Sequence, residues 1–258
     1  MALVFRSQAI SDLGLVRPGN EDSAIAAPLL VAVADGMGGH AAGEIASKIA
    51  INTLLQLAPV LSDPSIDIDS REDLLLNITY EIDAAILEES KRNPEFAGMG
   101  TTLTALHLEQ ERVELLHIGD SRCYKYSAGK LEQLSYDHTV MQELLDQGRL
   151  TPEEVSSHPQ RSILTQVLMG DSGLDPALMI YPAKKGDLFL LCSDGLSSVL
   201  SDHEIANIIK SSEPELLLHN LLAATKEKGA PDNVTIIWSE VVEGSVVGAI
   251  ELLGAANE

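Results

Sequence analysis

The sequence predicts an α+β protein in which sheets stack on one another and helices lie outside them. Two observations carry this. Strand-like and helical segments do not alternate one for one: two long helical stretches precede a succession of strands, and a helix pair precedes a last strand, an order that fits α+β layering better than a βαβ wind. The bulk composition, 45% hydrophobic and 22% charged over 258 residues with 11 prolines, is that of a folded chain able to bury one core. One domain over residues 1–242 is expected, with 243–258 as a C-terminal tail.

The elements follow from local pattern. Residues 29–34 form an apolar run closed by Asp and Gly and read as a buried strand. Residues 43–57 and 71–92 carry apolar side chains at helical spacing, with Ser70 placed as the N-cap of the second helix. Residues 102–109, 112–118 and 123–127 read as successive strands, followed by a short helix over 140–147. Residues 147–170, rich in Pro, Ser and Gln, are expected to be irregular and close to a site. A strand over 188–193, helices over 202–210 (capped by Ser201) and 215–228, and a strand over 234–242 complete the core. The remaining EGSVVGAIELLGAANE is read either as a docking helix or as a frayed end. There is no internal repeat or low-complexity tract.

Charge narrows the function. With 17 Lys+Arg against 39 Asp+Glu the formal charge is −22, which repels nucleic acid and anionic membrane surfaces. Cys123 and Cys192 belong to no CxxC motif and sit among apolar neighbours, as buried free thiols of a reducing cytoplasm would. No leader or membrane-spanning run is read, and nothing forces a dimer, so a cytoplasmic monomer is expected.

The informative residues are aspartates at strand ends. Asp35 follows LLVAVA and precedes GMGG; Asp194 ends LFLLCSDGL in the same way; Asp120 follows a strand in LLHIGDSR; Asp232 immediately precedes a strand in GAPDNVTII; Asp22 lies in RPGNED. A lone Asp-Gly is an ordinary turn, but its recurrence at the ends of apolar strands weakens that reading. Glycines beside Asp35 can adopt positive φ or let a ligand approach the main chain, which makes the Gly36 carbonyl a further oxygen donor. Carboxylates gathered at one edge repel one another unless cations lie between them. An all-oxygen set without a His or Cys cluster suits Mg2+ or Mn2+, and a cation pair about 4 Å apart would acidify a bridging water into a nucleophile. Arg17, five residues before Asp22, supplies the forked positive charge that a phosphate group needs. The chemistry expected is hydrolysis at phosphorus.

In chain order, RPGNED, ADGMGGH, MGTT, HIGDSR, SYDHT, CSDGL and PDNVT resemble the successive motifs of the PPM family, the protein phosphatase 2C type, in its compact bacterial form, over about residues 13 to 238. The resemblance implies an αββα sandwich of two central antiparallel sheets flanked by helix pairs, with metals at one end between the sheets. It implies that Asp35 bridges two cations, that the Gly36 carbonyl binds the second, and that Asp194 and Asp232 bind the first. Asp120, together with Asp194, is similar to residues that hold a third ion, although a turn-capping role for Asp120 stays open. Asp22 resembles a carboxylate that orients metal-bound water, Arg17 the phosphate-binding arginine, and Asn233 an amide that orients its neighbours; Glu21 stands where relatives carry Glu or Gln. Met37 occupies the place where animal-type members carry a histidine, which leaves His40 or a metal-bound water as the general acid, while His138 is read as structural. Residues 140–170, including Arg161 and Gln166, resemble a flap that influences substrate choice.

The implied function is Mg2+- or Mn2+-dependent hydrolysis of phosphoserine and phosphothreonine in proteins, opposing a serine/threonine kinase in bacterial signalling. Three rivals are weighed. A non-catalytic family member would lack a metal aspartate, and none is missing here. A hydrolase of small phosphate esters would use the same site. A calcium-binding module fails on spacing, because the carboxylates are dispersed rather than set in one D-x-D-x-D-G loop.

Overall fold

The structure is a computed structural model that describes residues 2–38, 42–61, 63, 65–151, 154, 163–170 and 173–257. Among the described residues, twelve strands, β1 (Ala2–Asp12), β2 (Asp22–Ala26), β3 (Leu30–Met37), β4 (Gly100–Thr101), β5 (Leu103–Glu109), β6 (Arg112–Ile118), β7 (Arg122–Ser127), β8 (Lys130–Gln133), β9 (Ala177–Pro182), β10 (Leu188–Cys192), β11 (Val234–Gly244) and β12 (Glu251–Gly254), form two sheets. One sheet has the order β1-β11-β10-β7-β8 and the other β12-β2-β3-β5-β6-β9, with β4 beside the end of β3. All the pairings are antiparallel. Helices α1 (Gly43–Leu61) and α2 (Ile68–Arg92) join β3 to β4; α3 (Val140–Asp146) follows β8; α4 (Asp194–Ser197), α5 (Asp202–Ser211) and α6 (Leu217–Glu227) lie between β10 and β11.

Side-chain alternation explains why the apolar runs are continuous. On β3, Val31 and Val33 point into the gap between the sheets with Phe189 and Ile237, whereas Ala32 and Ala34 point outward against α1. A strand buried on both faces cannot show a polar stripe. The outer face of the second sheet is covered by α1 and α2, whose Ala46, Ala50 and Leu54, and Leu75, Ile78, Ile82 and Ile86, recur every three or four residues. On the other side α5 and α6 bury Ile205, Ile209 and Leu221 against Tyr124, Leu190 and Ile236. Three apolar layers thus separate four layers of structure, the αββα sandwich that the resemblance implied.

Several local readings are corrected. The N-cap of α2 is Asp67, whose carboxylate accepts from both the N–H and the hydroxyl of Ser70, so Ser70 lies inside the first turn. Ser201 does cap α5, with Glu204 completing a capping box. The last residues are neither a docking helix nor a frayed end: β12 pairs with β2, and Ala255 and Ala256 are buried in the short 3-10 turn that follows. The first residues form an eleven-residue strand paired along its length with β11. Cys123 and Cys192 are free and buried, as expected. Among the described residues no helix is long and apolar enough to cross a membrane.

Candidate active site

Antiparallel pairing gathers the aspartates at one end of the sandwich. In β2 and β3, Asp22 and Asp35 are directly opposed, and both continue the inward-facing positions Ala24 and Val33. Because β10 runs antiparallel to β11, the exit of the first, with Asp194, meets the entry of the second, with Asp232. Asp120 follows β6 in the turn to β7. Asp35, Asp120, Asp194 and Asp232, with Arg17, Glu21 and Gly36, line one cavity of about 270 Å3.

Thr102 holds the main chain beneath Asp35 in place. Its hydroxyl accepts from the Asp35 N–H at 3.0 Å and its own N–H donates to the Asp35 carbonyl at 2.9 Å, while the Thr101 hydroxyl donates to the same carbonyl at 3.0 Å. The MGTT motif carries these threonines, but a hydroxyl gives no sign in sequence that it serves a neighbouring strand. Gly36 and Gly195 are not needed for positive φ, since neither lies in the left-handed region. They are needed for space: a Cβ on Gly36 would meet the Gly43 carbonyl at 2.2 Å, and one on Gly195 the Asn233 carbonyl at 1.8 Å.

Asp22 does not line the cavity. It lies behind it, 1% exposed, and accepts from the Ser193 hydroxyl at 2.8 Å, while its Oδ1 has no hydrogen-bond partner. Asn233 is a clamp. Its Oδ1 accepts from the Glu21 N–H at 2.8 Å and its Nδ2 donates to the carbonyls of Leu13 and Gly19, at 2.9 and 3.0 Å. Arg17 lies between these anchor points and donates to Asp232 Oδ2 at 2.6 Å. His138 accepts from the Gly119 N–H at 3.1 Å, in keeping with a structural role. His40 and Arg161 lie outside the described residues, and Gln166 accepts from the Asp175 N–H at 3.2 Å.

Arg17, paired with Asp232, compensates the negative charge of the cluster only in part. Burial, reinforced by Asp22, Asp194, Asp120 and Asp232, holds the Asp35 carboxyl well above the usual carboxylate range. Burial first and neighbouring carboxylates second push Asp22 up to about 7, Asp120 to about 7 and Asp194 to about 6. Arg17 is pushed up chiefly by its hydrogen bond to Asp232. Among the described residues no three His, Cys, Asp or Glu groups already form a closed cation cage. The donor set nevertheless fits hard divalent cations: the donors are oxygens, the carboxylate charge is unbalanced, and the cavity has room for water to fill the remaining positions.

Comparison with known proteins agrees with this architecture. The family model described as Protein phosphatase 2C matches residues 21–226. A Mycobacterium tuberculosis protein named serine/threonine protein phosphatase PstP is 44% identical over 94% of this chain, which spans 46% of that relative's length. A Listeria monocytogenes protein named serine/threonine phosphatase stp is 32% identical over 89% of this chain and 93% of its own. The solved catalytic domain of PstP in complex with two manganese ions superposes with a TM-score of 0.83 at 41% identity, covering 93% of this chain and 100% of that one. Two stacked antiparallel sheets between helix layers, an acidic cavity at their end and these matches lead to one conclusion: the chain belongs to the protein phosphatase 2C family.

Proposed function

We propose that this protein hydrolyses phosphoserine and phosphothreonine in protein substrates with the help of Mg2+ or Mn2+, opposing a serine/threonine kinase in bacterial signalling. The observation that carries the reading is the convergence of four aspartates and Arg17 on one cavity. Divalent cations bound there supply the charge that balances the carboxylates and the phosphoryl oxygens, and lower the pKa of water into the range of a nucleophile. Asp35 is assigned to both cations, the Gly36 carbonyl to one of them, Asp194 and Asp232 to the other, and Asp120 with Asp194 to a third. Asp22 supports this set from behind, through Ser193, which joins the end of β10 to Asp194. Arg17 carries the only guanidinium among the described residues lining the cavity, and it orients the phosphate by its fork of N–H donors. The proton for the leaving oxygen comes from His40 or from water. The protein is assigned to the cytoplasm as a monomer, with phosphoproteins and neither nucleic acid nor membrane as partners, in keeping with its charge of −22.

The test is the initial rate of phosphate release from a phosphothreonine peptide with Mn2+, Mg2+, Ca2+ or chelator, comparing the parent with Asp35→Ala and Asp194→Ala. Turnover should require Mn2+ or Mg2+ and fall by more than about a hundredfold in either variant. Folded parent protein without metal-dependent turnover on several phosphopeptides would instead favour a phosphoprotein-binding role.

A further inference from the structure

We propose that Asp83, on α2 and remote in sequence from every motif above, is a positioning residue that holds residues 163–170 beside the catalytic cavity and so sets how well a phosphoprotein binds. The strip reaches the cavity through Leu164, which forms part of its wall. Its two ends are fixed differently. At the first, the Val140 N–H donates to the Ile163 carbonyl at 3.0 Å and the Thr165 N–H to the His138 carbonyl at 2.9 Å. At the second, Leu168 and Thr101 exchange a pair of main-chain hydrogen bonds of 2.9 and 3.0 Å.

Beyond that bridge the strip is held by α2. The N–H groups of Met169 and Gly170 both donate to the same oxygen, Asp83 Oδ1, at 2.9 and 2.6 Å. Consecutive N–H groups directed at one carboxylate oxygen form an anion-binding nest, here filled by the protein's own side chain. One helical turn further on, Leu87 packs against Gly170 so closely that a Cβ there would lie 2.5 Å from the Leu87 Cβ, and Gly170 has φ +82°. The strip thus meets α2 at a hydrogen-bonded point and a steric one on the same helix face.

The consequence falls on substrate binding rather than on the reacting groups. The hydrogen bonds that tie Asp35 to Thr101 and Thr102 involve neither Met169 nor Gly170, so the aspartate cluster is expected to stay built when these are released. Leu164, by contrast, belongs to the strip itself. Losing the Asp83 acceptor frees the Met169–Gly170 end of the strip and so loosens the constraint on Leu164, the wall residue against which the residues flanking a phosphorylated side chain would lie. A small aryl phosphate has no such flanks.

This rests on the phosphatase reading, and the test separates the two. Kinetics with Mn2+ on a phosphothreonine peptide and on a small aryl phosphate, together with hydrogen exchange of the peptide covering 164–170, would be compared for parent, Asp83→Ala and Asp83→Asn. Asp83→Ala should raise KM for the phosphopeptide by about fivefold or more and leave kcat on the aryl phosphate within about twofold. It should also speed exchange of the strip by about fivefold or more. Asp83→Asn keeps an acceptor oxygen and should behave as the parent in all three, a rescue that loss of fold or of charge would not produce. Parent-like exchange and KM in Asp83→Ala, or equal impairment in Asp83→Asn, would overturn the proposal; should Asp83→Ala not fold, impaired Asp83→Asn alone would do so. If neither substrate is hydrolysed by the parent, the phosphatase reading fails, and the exchange comparison still decides whether Asp83 holds the strip.

Discussion

Replacing Asn233 by alanine tests whether the loop that carries Arg17 is held as the structure indicates. The side chain is 5% exposed and makes three hydrogen bonds of 2.8 to 3.0 Å, all to main-chain groups of residues 13, 19 and 21. At about 1 kcal/mol net for each, the loss is about 3 kcal/mol. For a chain of this size each kcal/mol moves Tm by about 2–4 °C, so a fall of about 6–12 °C is expected. Differential scanning calorimetry in the presence of chelator reads it without interference from cation binding. Asn207→Ala, on an exposed helix position, is the control and should stay within about 0.5 kcal/mol of the parent. Asn233→Asp keeps the acceptor for the Glu21 N–H but sets a carboxylate against two carbonyls, and should be no more stable than the alanine variant. A melting temperature for Asn233→Ala within about 2 °C of the parent would refute the clamp.

Two further outcomes follow from the packing and charge of the same site. Gly195→Ala forces a Cβ to 1.8 Å from a main-chain oxygen and should cost about 3 kcal/mol or more by urea unfolding, whereas Gly19→Ala, with open space around it, should be near neutral; equal stabilities would remove the close-approach argument. The buried carboxyls give a pH dependence whose sign can be worked out. Burial pushes the carboxyls of Asp22 and Asp120 up to about 7, from about 3.8 for an exposed aspartate, so the folded state holds more protons, and stability is lost as pH rises through about 7. His117, pushed down by burial to about 3, and His138, also lowered by burial, act in the opposite sense, but their contribution is mostly complete at about pH 6.5 and levels off by about pH 7.5, so the carboxyls dominate above it. Between about pH 6.5 and 8 the chelated protein should therefore lose thermal stability, and excess Mn2+ should reduce that loss; a chelated protein whose Tm rises over this interval would contradict the buried, unbalanced cluster.

The elements legible in the sequence are those whose burial is uniform. The runs that became β3, β5, β6, β10 and the first part of β11 face apolar layers on both sides, so an unbroken apolar string marks them without knowledge of their partners. The stripes of α1, α2, α5 and α6 were readable because each packs one face on one sheet. The strands that escaped were β1, β2, β4, β8, β9 and β12. Most of these lie at or near a sheet edge, and the pattern of β1, with exposed and half-buried residues around Val4 and Phe5, becomes a strand only through pairing with β11, some 230 residues away.

The site divides along the same line. Asp35, Asp120, Asp194 and Asp232 stood out in the sequence as candidates because each carboxylate lies at the end or the beginning of an apolar strand, a juxtaposition of charge with burial, and Arg17 stood out only by its company with them; that all five line one cavity is seen in the structure. Tertiary structure alone decided that Asp22 faces Ser193 from behind the cavity, that Gly36 and Gly195 serve close main-chain approach rather than positive φ, and that Asp83 meets Met169 and Gly170. Those facts depend on contacts between residues distant along the chain. A sequence records which groups are available, whereas distances between non-neighbouring groups exist only once antiparallel pairing and layer packing have closed the loops between them.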